Sequence, residues 1–282
     1  MSRLDDTADS GGYAFLDAGG GRRLERFGEH VVDRPAATAS GRPRLPGEWS
    51  RADLRFDAGG GWTSAPAPWP VQMHGLSLEL RPTASGGLGL YPEHAANVDW
   101  LATQVHAHAR DRQPAVLNLF AHTGLATLVA ARAGASVVHV DAARSAVAWA
   151  RRNARQSGLA DRPIRWLVDD VAGFVAREAR RGRRYDGIVL DPPSFGRASG
   201  RRWRLADELP ELLAACRAVA TDDAFVLLTA HTTGVEGPAL GDALRDAFGP
   251  GLGRSQIDTV PLELVAASGA RLELGWAARL AR

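Results

Sequence analysis

The fold of this chain is decided by the stretch VLNLFAHTG, residues 116–124. Its apolar run is typical of a buried strand, and the residues that follow predict a helix over 125–133. The next apolar run, residues 136–141, predicts a second strand that ends on Asp141, 17 residues after Gly124. A strand, a helix and a strand ending in an acid form the layout of a mononucleotide-binding βαβ unit, in which the acid holds ribose hydroxyls.

The glycine content of this unit indicates which kind of ligand it takes. A dinucleotide site needs three glycines in the spacing G-x-G-x-x-G, so that the backbone can approach a pyrophosphate. The turn after the first strand of this unit has only one glycine, Gly124. A ligand with adenosine but no phosphate therefore fits better, and S-adenosyl-L-methionine is such a ligand. A nucleotide-dependent oxidoreductase is the alternative that this spacing disfavours.

A second motif, DPPSF at residues 191–195, follows the apolar run 187–190. An acid at the carboxyl end of a strand lies where open α/β sheets bind their ligands. The two prolines stiffen the chain and carry no N–H, so their carbonyls remain as acceptors. With the ring of Phe195, these groups suit a planar molecule bearing an amino nitrogen, such as a nucleobase. The alternative is a tight strand-to-helix loop with one capping aspartate.

Residues 116–195 together resemble a class I S-adenosylmethionine-dependent methyltransferase. The closest resemblance is to bacterial large-subunit ribosomal-RNA methyltransferases, which carry LN-x-F-x-x-TG and DPP-x-F. The similarity extends to residues 143–153 and 169–171 and, weakly, to 89–94, so it covers about half of the chain. It implies an α/β fold with a Rossmann-like sheet and an antiparallel terminal hairpin.

The resemblance also implies roles for individual residues. The donor-binding residues would be Asn118, Phe120, Thr123, Gly124, Asp141, Asp170 and Asp191, and the catalytic residues Asp191, Pro192 and Phe195. Asp141 would bind the ribose, Asp170 the adenine amino group, and Asp191 the methyl group and the incoming amino group, while Phe195 would stack on the target base. Structural alternatives stay open, since Asp170 could cap a helix and Phe120 and Phe195 could be core residues. His122 is expected to be a turn residue, and His139 a satisfied core or strand-edge histidine rather than a catalytic base.

The single cysteine indicates which atom is methylated. Relatives that methylate carbon 5 of cytosine place a thiol just after the fifth strand, where this chain reads Thr229-Ala230-His231. Cys216 instead falls on the apolar face of a predicted helix, where a thiol behaves as a small hydrophobe. A base nitrogen is therefore the expected target. The sequence contains no H-E-x-x-H or paired C-x-x-C signature, so no metal site is expected.

Composition bounds the remaining possibilities. With 282 residues, 45% of them apolar, the chain can form one large domain or a domain plus a small one, and one cysteine excludes a disulfide scaffold. The first residues show no secretion signal. The least charged stretch, 113–131, contains polar residues and is therefore expected to form a strand, a turn and a helix rather than a membrane span. A cytoplasmic protein without a membrane partner is expected.

All 34 basic residues are arginine, and the formal net charge of +2 says little about nucleic acid. Two arginine clusters stand out: Arg177, Arg180, Arg181, Arg183 and Arg184 form the first, and Arg197, Arg201, Arg202 and Arg204 the second. The second is interleaved with Phe195 and Trp203, as suits single-stranded RNA. Solvated loops in an arginine-rich protein are the alternative for both.

The chain is expected to divide into a loose N-terminus (1–12), a small β-rich N-terminal region (13–92) and a methyltransferase domain (93–282). The β-rich region is either a substrate-docking module or a structural extension, and its tryptophans Trp49, Trp62 and Trp69 either stack on bases or belong to a core. The leading interpretation is methylation of RNA, with ribosomal RNA as substrate. A methyltransferase of a small molecule or protein, or an RNA-binding protein with a vestigial donor site, remains an alternative; the oligomeric state is open.

Overall fold

The computed structural model describes residues 12–198, 201–249 and 256–282, with only the backbone at 197, 198, 201 and 202. The chain divides into two compact units: Met1–Glu93 with Glu263–Leu274, and His94–Leu262 with Gly275–Arg282. The expected loose N-terminus lies outside the described residues except for Gly12, which forms a single parallel bridge with Gln72. The predicted domain boundary at residues 92 and 93 stays a prediction.

The first unit is rich in short strands, as the alternating sequence predicts. Its elements are β1 (Tyr13–Gly19), β2 (Arg22–Phe27), β3 (His30–Pro35), α1 (Pro46–Trp49), β4 (Leu54–Asp57), β5 (Gly61–Trp62), β6 (Trp69–Met73) and β7 (Leu76–Leu80). Strands β1 to β5 form one sheet in chain order, and β6 and β7 form a separate hairpin. The predicted hairpin of β1 and β2 is present and antiparallel.

The three tryptophans of this unit are held by their indole N–H groups. Trp49 donates to Oδ2 of Asp17 at 2.9 Å, Trp62 to the carbonyl of Thr83 at 2.7 Å, and Trp69 to the carbonyl of Phe27 at 3.1 Å. A partly buried tryptophan that satisfies its N–H in this way supports the fold around it. These bonds favour the structural interpretation of the three rings over base stacking.

The second unit alternates strands and helices. Its elements are α2 (Ala95–His108), β8 (Ala115–Leu119), α3 (Leu125–Arg132), β9 (Ser136–Asp141), α4 (Arg144–Gln156), β10 (Ile164–Val168), α5 (Val171–Arg180), β11 (Tyr185–Leu190), β12 (Phe195–Ala198), β13 (Arg201–Arg204), α6 (Leu205–Val219), β14 (Ala220–Ala230) and α7 (Gly237–Phe248). The last two strands are β15 (Ile257–Val265) and β16 (Arg271–Leu280), which belong to this unit up to Leu262 and from Gly275 onward. A 3₁₀ turn, Pro92–His94, precedes α2.

Seven strands form the central sheet, in the order β10-β9-β8-β11-β14-β16-β15. The pairs from β10 to β14 are parallel, and β16 runs antiparallel to β14. The Rossmann-like sheet and the terminal hairpin are confirmed, and β15, which contains Pro261, lies at the edge as a proline requires. Strand order reverses between β8 and β11, and ligands of such sheets bind at the carboxyl ends of the strands there.

The core of the second unit explains why these strands form. All six residues of β11 are buried, as the continuous apolar run predicts for a central parallel strand. Gly187 is required within it, since a Cβ there would lie 2.1 Å from the ring of Phe225 on β14. Helix α6 packs Leu209, Leu213 and Cys216 into the same core. Among the described residues, no helix has the length and apolarity to cross a bilayer.

One element of this unit was not predicted from the sequence. Strands β12 and β13 form an antiparallel hairpin directly after the DPPSF motif, where the sequence suggested only an arginine-rich loop. The stretch lacks the period-two alternation of apolar residues that marks a half-buried strand. The hairpin gives Phe195 a defined backbone position at the start of β12.

Candidate active site

The turn between β8 and α3 carries unusual backbone geometry. Phe120, His122 and Gly124 all have positive φ, at 53°, 48° and 93°. Such angles strain a residue with a side chain, and strain of this kind concentrates at binding sites. Gly124 precedes α3, and a Cβ on it would lie 3.0 Å from the Cβ of Ala150. The turn is therefore a rigid loop, and its backbone amides lie next to the start of α3.

Asp141 fixes this loop from the neighbouring strand. Its Oδ2 accepts a hydrogen bond from the backbone N–H of His122, and its Oδ1 accepts one from Ala143, both at 2.8 Å. A carboxylate oxygen can accept two hydrogen bonds. The half-buried carboxylate of Asp141 thus retains acceptor capacity for hydroxyl groups while its orientation is set by two amides.

Asn118, near the end of β8, and Thr123, in the loop that follows, are both hydrogen-bonded to the protein interior. Asn118 is buried, and its Nδ2 donates to Oγ1 of Thr127 at 2.8 Å. That hydroxyl lies 2.9 Å from Nδ1 of the buried His139, and burial lowers the pKa of His139 to about 3. The carbonyl of Thr123 accepts from Nδ2 of Asn153 at 2.9 Å. These buried hydrogen bonds stabilise the loop from the protein interior. His139 is a neutral core residue.

Asp170 follows β10 and caps helix α5. Its Oδ2 accepts from the backbone N–H of Gly173 at 2.8 Å, which is the geometry of an N-cap. The adjacent Asp169 pairs with Arg177. The capping alternative for Asp170 is thus present in the structure, and a role toward adenine stays a prediction.

Asp191 lies at the end of β11, beside two histidines that the sequence did not connect to it. Its Oδ2 is 3.3 Å from Nε2 of His94, and its Oδ1 is 3.5 Å from Nε2 of His231 and 2.6 Å from Oγ1 of Thr229. Burial alone would raise the pKa of Asp191, but the two imidazoles hold that pKa well below its usual range. Asp191 is therefore an anion at neutral pH.

The position of His231 could have been predicted. It directly follows β14, the neighbour of β11, and residues after adjacent parallel strands meet at one edge of the sheet. His94 does not follow a strand of this sheet; it precedes α2, in the segment 89–94 whose similarity to the family is weak. Its place beside Asp191 depends on packing that the sequence pattern does not reveal.

The segment after Asp191 is held in place by burial and by hydrogen bonds. Pro192 is buried, the carbonyl of Pro193 accepts from Nε1 of Trp203 at 2.6 Å, and Ser194 Oγ lies 2.6 Å from Oγ1 of Thr232. The Trp203 ring also packs on Phe120, with centroids 5.4 Å apart. Trp203 thus contacts both the loop after β8 and the DPPSF segment.

Phe195 is a surface residue, with 71% of it exposed. The guanidinium of Arg204, its partner across the hairpin, lies 5.9 Å from the ring centroid. The core alternative for Phe195 is therefore wrong, while Phe120 is partly buried against the main core. The side chains of Arg197, Arg201 and Arg202 lie outside the described residues.

The first arginine cluster is largely engaged in local contacts. Arg181 donates to Glu178 at 2.8 Å and Arg184 to the carbonyl of Ala220 at 2.9 Å, in addition to the pair formed by Arg177. These contacts favour a structural role. Cys216 is fully buried, and burial raises the pKa of its thiol to about 12, so it is not a nucleophile.

Comparisons with known proteins agree with this geometry. Residues 22–227 match the sequence profile of the S-adenosylmethionine-dependent methyltransferases. The chain belongs to this family. The crystal structure of an S-adenosylmethionine-dependent methyltransferase from Agrobacterium tumefaciens is similar over 97% of this chain and 91% of that one, with 36% identity and a TM-score of 0.89. The methyl donor of the family is S-adenosylmethionine, and the resemblance seen in the motifs is confirmed.

Two named relatives share a shorter region with this chain. The ribosomal RNA large subunit methyltransferase K/L of Methylococcus capsulatus is 42% identical over 88 residues, which is 31% of this chain and 12% of the relative. The ribosomal RNA large subunit methyltransferase I of Aeromonas salmonicida is 36% identical over 103 residues, 36% of this chain and 24% of the relative. The matched region therefore spans less than a quarter of either relative.

Proposed function

We propose that this methyltransferase transfers the methyl group of S-adenosylmethionine to a base nitrogen in RNA, with ribosomal RNA as its substrate. The observation that carries the proposal is the position of Phe195. Its ring is 71% exposed, directly after the Asp191-Pro192-Pro193 segment at the carboxyl edge of the sheet, with a guanidinium over its face. An exposed ring stacks on an unpaired base, and arginine beside it suits a phosphate.

The chemistry at Asp191 supports a nitrogen target. Methyl transfer is an in-line displacement: the nitrogen lone pair forms a bond to the methyl carbon as the carbon–sulfur bond breaks. The ionised Asp191 accepts a hydrogen bond from the amino group and orients its lone pair, and positioning of this kind can lower a barrier by roughly 7–11 kcal/mol. The buried Cys216 argues against carbon 5 of cytosine, which needs a thiol adduct.

The substrate class is supported by the two relatives, which are named as ribosomal-RNA methyltransferases. A base within a helix is out of reach of such a site, so the target would be unstacked or flipped. Asp141, together with Asn118 of β8 and Phe120, Thr123 and Gly124 of the loop after it, would hold the ribose and methionine portions of the donor. Asp170 would lie toward the adenine.

The test is transfer of labelled methyl to RNA from cells that lack this protein, followed by mass mapping of the product. We expect incorporation into that RNA but not into RNA from cells that contain the protein, because their sites are already methylated. Phe195→Tyr keeps a flat ring and should retain transfer, whereas Phe195→Leu keeps only the apolar volume and should lose it with little change in donor affinity. Donor binding without incorporation into any RNA would leave a small-molecule or protein methyltransferase, or an RNA-binding protein.

A further inference from the structure

His94, Asp191 and His231 converge on one point although they come from three separate elements. The two Nε2 atoms lie 3.3 Å apart, and they lie 3.3 Å and 3.5 Å from the two oxygens of Asp191. The two imidazole rings are T-shaped to one another, with a 69° angle between their planes, so the nitrogens approach edge-on without stacking. All three groups offer atoms that bind divalent metals.

Both histidines hydrogen-bond to Asp191 and to one another, but these contacts are longer than the commonest hydrogen bonds. Protein N–H···O bonds are most often about 2.9–3.0 Å long, and Thr229 makes a much shorter contact of 2.6 Å to the same carboxylate. Ligands about 2.0–2.1 Å from a tetrahedral Zn²⁺ are about 3.3–3.4 Å from one another. The 3.3 Å distances from Nε2 of His94 to Nε2 of His231 and to Oδ2 of Asp191 match this edge, whereas His231 lies 3.5 Å from the other oxygen, Oδ1. Octahedral ligands at such bond lengths would be only about 2.8–3.0 Å apart.

We propose that His94, Asp191 and His231 form a binding site for a zinc-type divalent cation, with a fourth coordination position open to solvent or to a ligand. The side chains of the three residues remain 20%, 28% and 28% exposed, so a cation can enter and one position stays accessible. Three protein ligands and one exchangeable position form the usual arrangement of a reactive zinc site.

The surroundings of the site support this assignment. Thr229 donates to Oδ1 of Asp191 and so holds the carboxylate from the side, as outer hydrogen bonds to metal ligands do. Asp191 and His231 each directly follow one of two paired strands, β11 and β14, so their separation is set by the sheet. One carboxylate and two imidazoles match the preference of Zn²⁺ for nitrogen and oxygen ligands.

The proposal does not depend on RNA as substrate, and its test does not use methyl transfer. The full chain is treated with a chelator, the chelator is removed, and Zn²⁺ is titrated in by calorimetry. We expect one Zn²⁺ per chain. His94→Ala and His231→Ala should each weaken binding by more than the roughly 10–100-fold that loss of an outer partner costs. His231→Gln serves as a second variant if the alanine protein does not fold.

Matched variants separate this site from incidental binding. His106 is an exposed histidine on the same helix that His94 precedes, and His106→Ala should leave the affinity unchanged. Cobalt bound in place of zinc should give the intense visible absorption of a four-coordinate centre. The proposal is overturned if wild-type protein takes up no stoichiometric Zn²⁺, if His94→Ala and His231→Ala bind as wild type does, or if cobalt gives a weak six-coordinate spectrum.

Discussion

Thr229 Oγ1 donates a 2.6 Å hydrogen bond to Oδ1 of Asp191 and thereby links the ends of two neighbouring parallel strands. The acceptor is the carboxylate on which the proposed chemistry depends, and Thr229 itself is buried. A hydrogen bond to a charged group typically contributes about 1.5–3 kcal/mol. The orientation of the Asp191 carboxylate is therefore set by the sheet as well as by the loop that follows.

Replacing Thr229 with valine should lower methyl transfer by about tenfold or more while leaving donor affinity nearly unchanged. The substitution keeps the buried volume but removes the group that orients Asp191, at a cost near the 1.4 kcal/mol that a factor of ten represents. Thr221→Val is the matched control, because Thr221 lies on the same strand and its hydroxyl has no hydrogen-bond partner among the described residues. Equal activity of the two variants would remove Thr229 from the site.

Replacing Asp141 with alanine should weaken binding of S-adenosylmethionine strongly in a folded protein. The change removes the acceptor proposed for the ribose hydroxyls and releases the backbone amides of His122 and Ala143. Asp170→Ala should remove a helix cap and lower the free energy of unfolding by about 1 kcal/mol. Calorimetry with the donor compares the two variants, and wild-type affinity in Asp141→Ala would refute the ribose assignment.

Replacing Gly124 with alanine should destabilise the protein and weaken donor binding. The residue has a φ of 93°, which costs a non-glycine residue about 1–3 kcal/mol, and its new Cβ would press on Ala150. Gly134→Ala is the control for the angle alone, since φ there is 106° but no atom lies within 4 Å of the added carbon. Denaturant unfolding of both variants measures the contribution of the contact with Ala150. Equal losses of unfolding free energy would mean that this contact does not affect stability.

The buried His139 should make the protein sensitive to acid. Its pKa is about 3 in the folded state, against about 6.5 for an unperturbed histidine, so the unfolded chain binds an extra proton between these values. Stability should consequently fall as pH drops from about 6.5 toward 3. Wild-type protein should lose about 3 kcal/mol more than His139→Gln between pH 7 and pH 4. Parallel stability curves for the two proteins would show that His139 titrates normally.

Cys216→Ala should retain methyl transfer and should cost only about 1–2 kcal/mol of stability through the small cavity that it leaves. The thiol is fully buried in the core packed by α6, and its pKa of about 12 keeps it protonated. The mapped product should contain no 5-methylcytosine. Loss of transfer in a folded Cys216→Ala protein, or a 5-methylcytosine product, would contradict the nitrogen target.

The sequence predicted those parts of the molecule that depend on local patterns. The elements β8, α3 and β9 follow from apolar runs and from one glycine, and the parallel sheet then places Asp141 and Asp191 at the same edge. The hairpin of β12 and β13 depends on pairing between arginine-rich segments without apolar alternation. His94 reaches Asp191 only through packing of the segment that leads into α2, so no spacing in the sequence could identify it.

Trp203 contacts the two halves of the candidate site at once, by its ring on Phe120 and by its N–H on the carbonyl of Pro193. A ligand that shifts Phe120 would therefore also shift the segment that carries Asp191. Thermodynamic reciprocity then requires that whatever the donor adds to the affinity for the acceptor, the acceptor adds to the affinity for the donor. Through this one indole, cooperativity between the two substrates would be built into the fold.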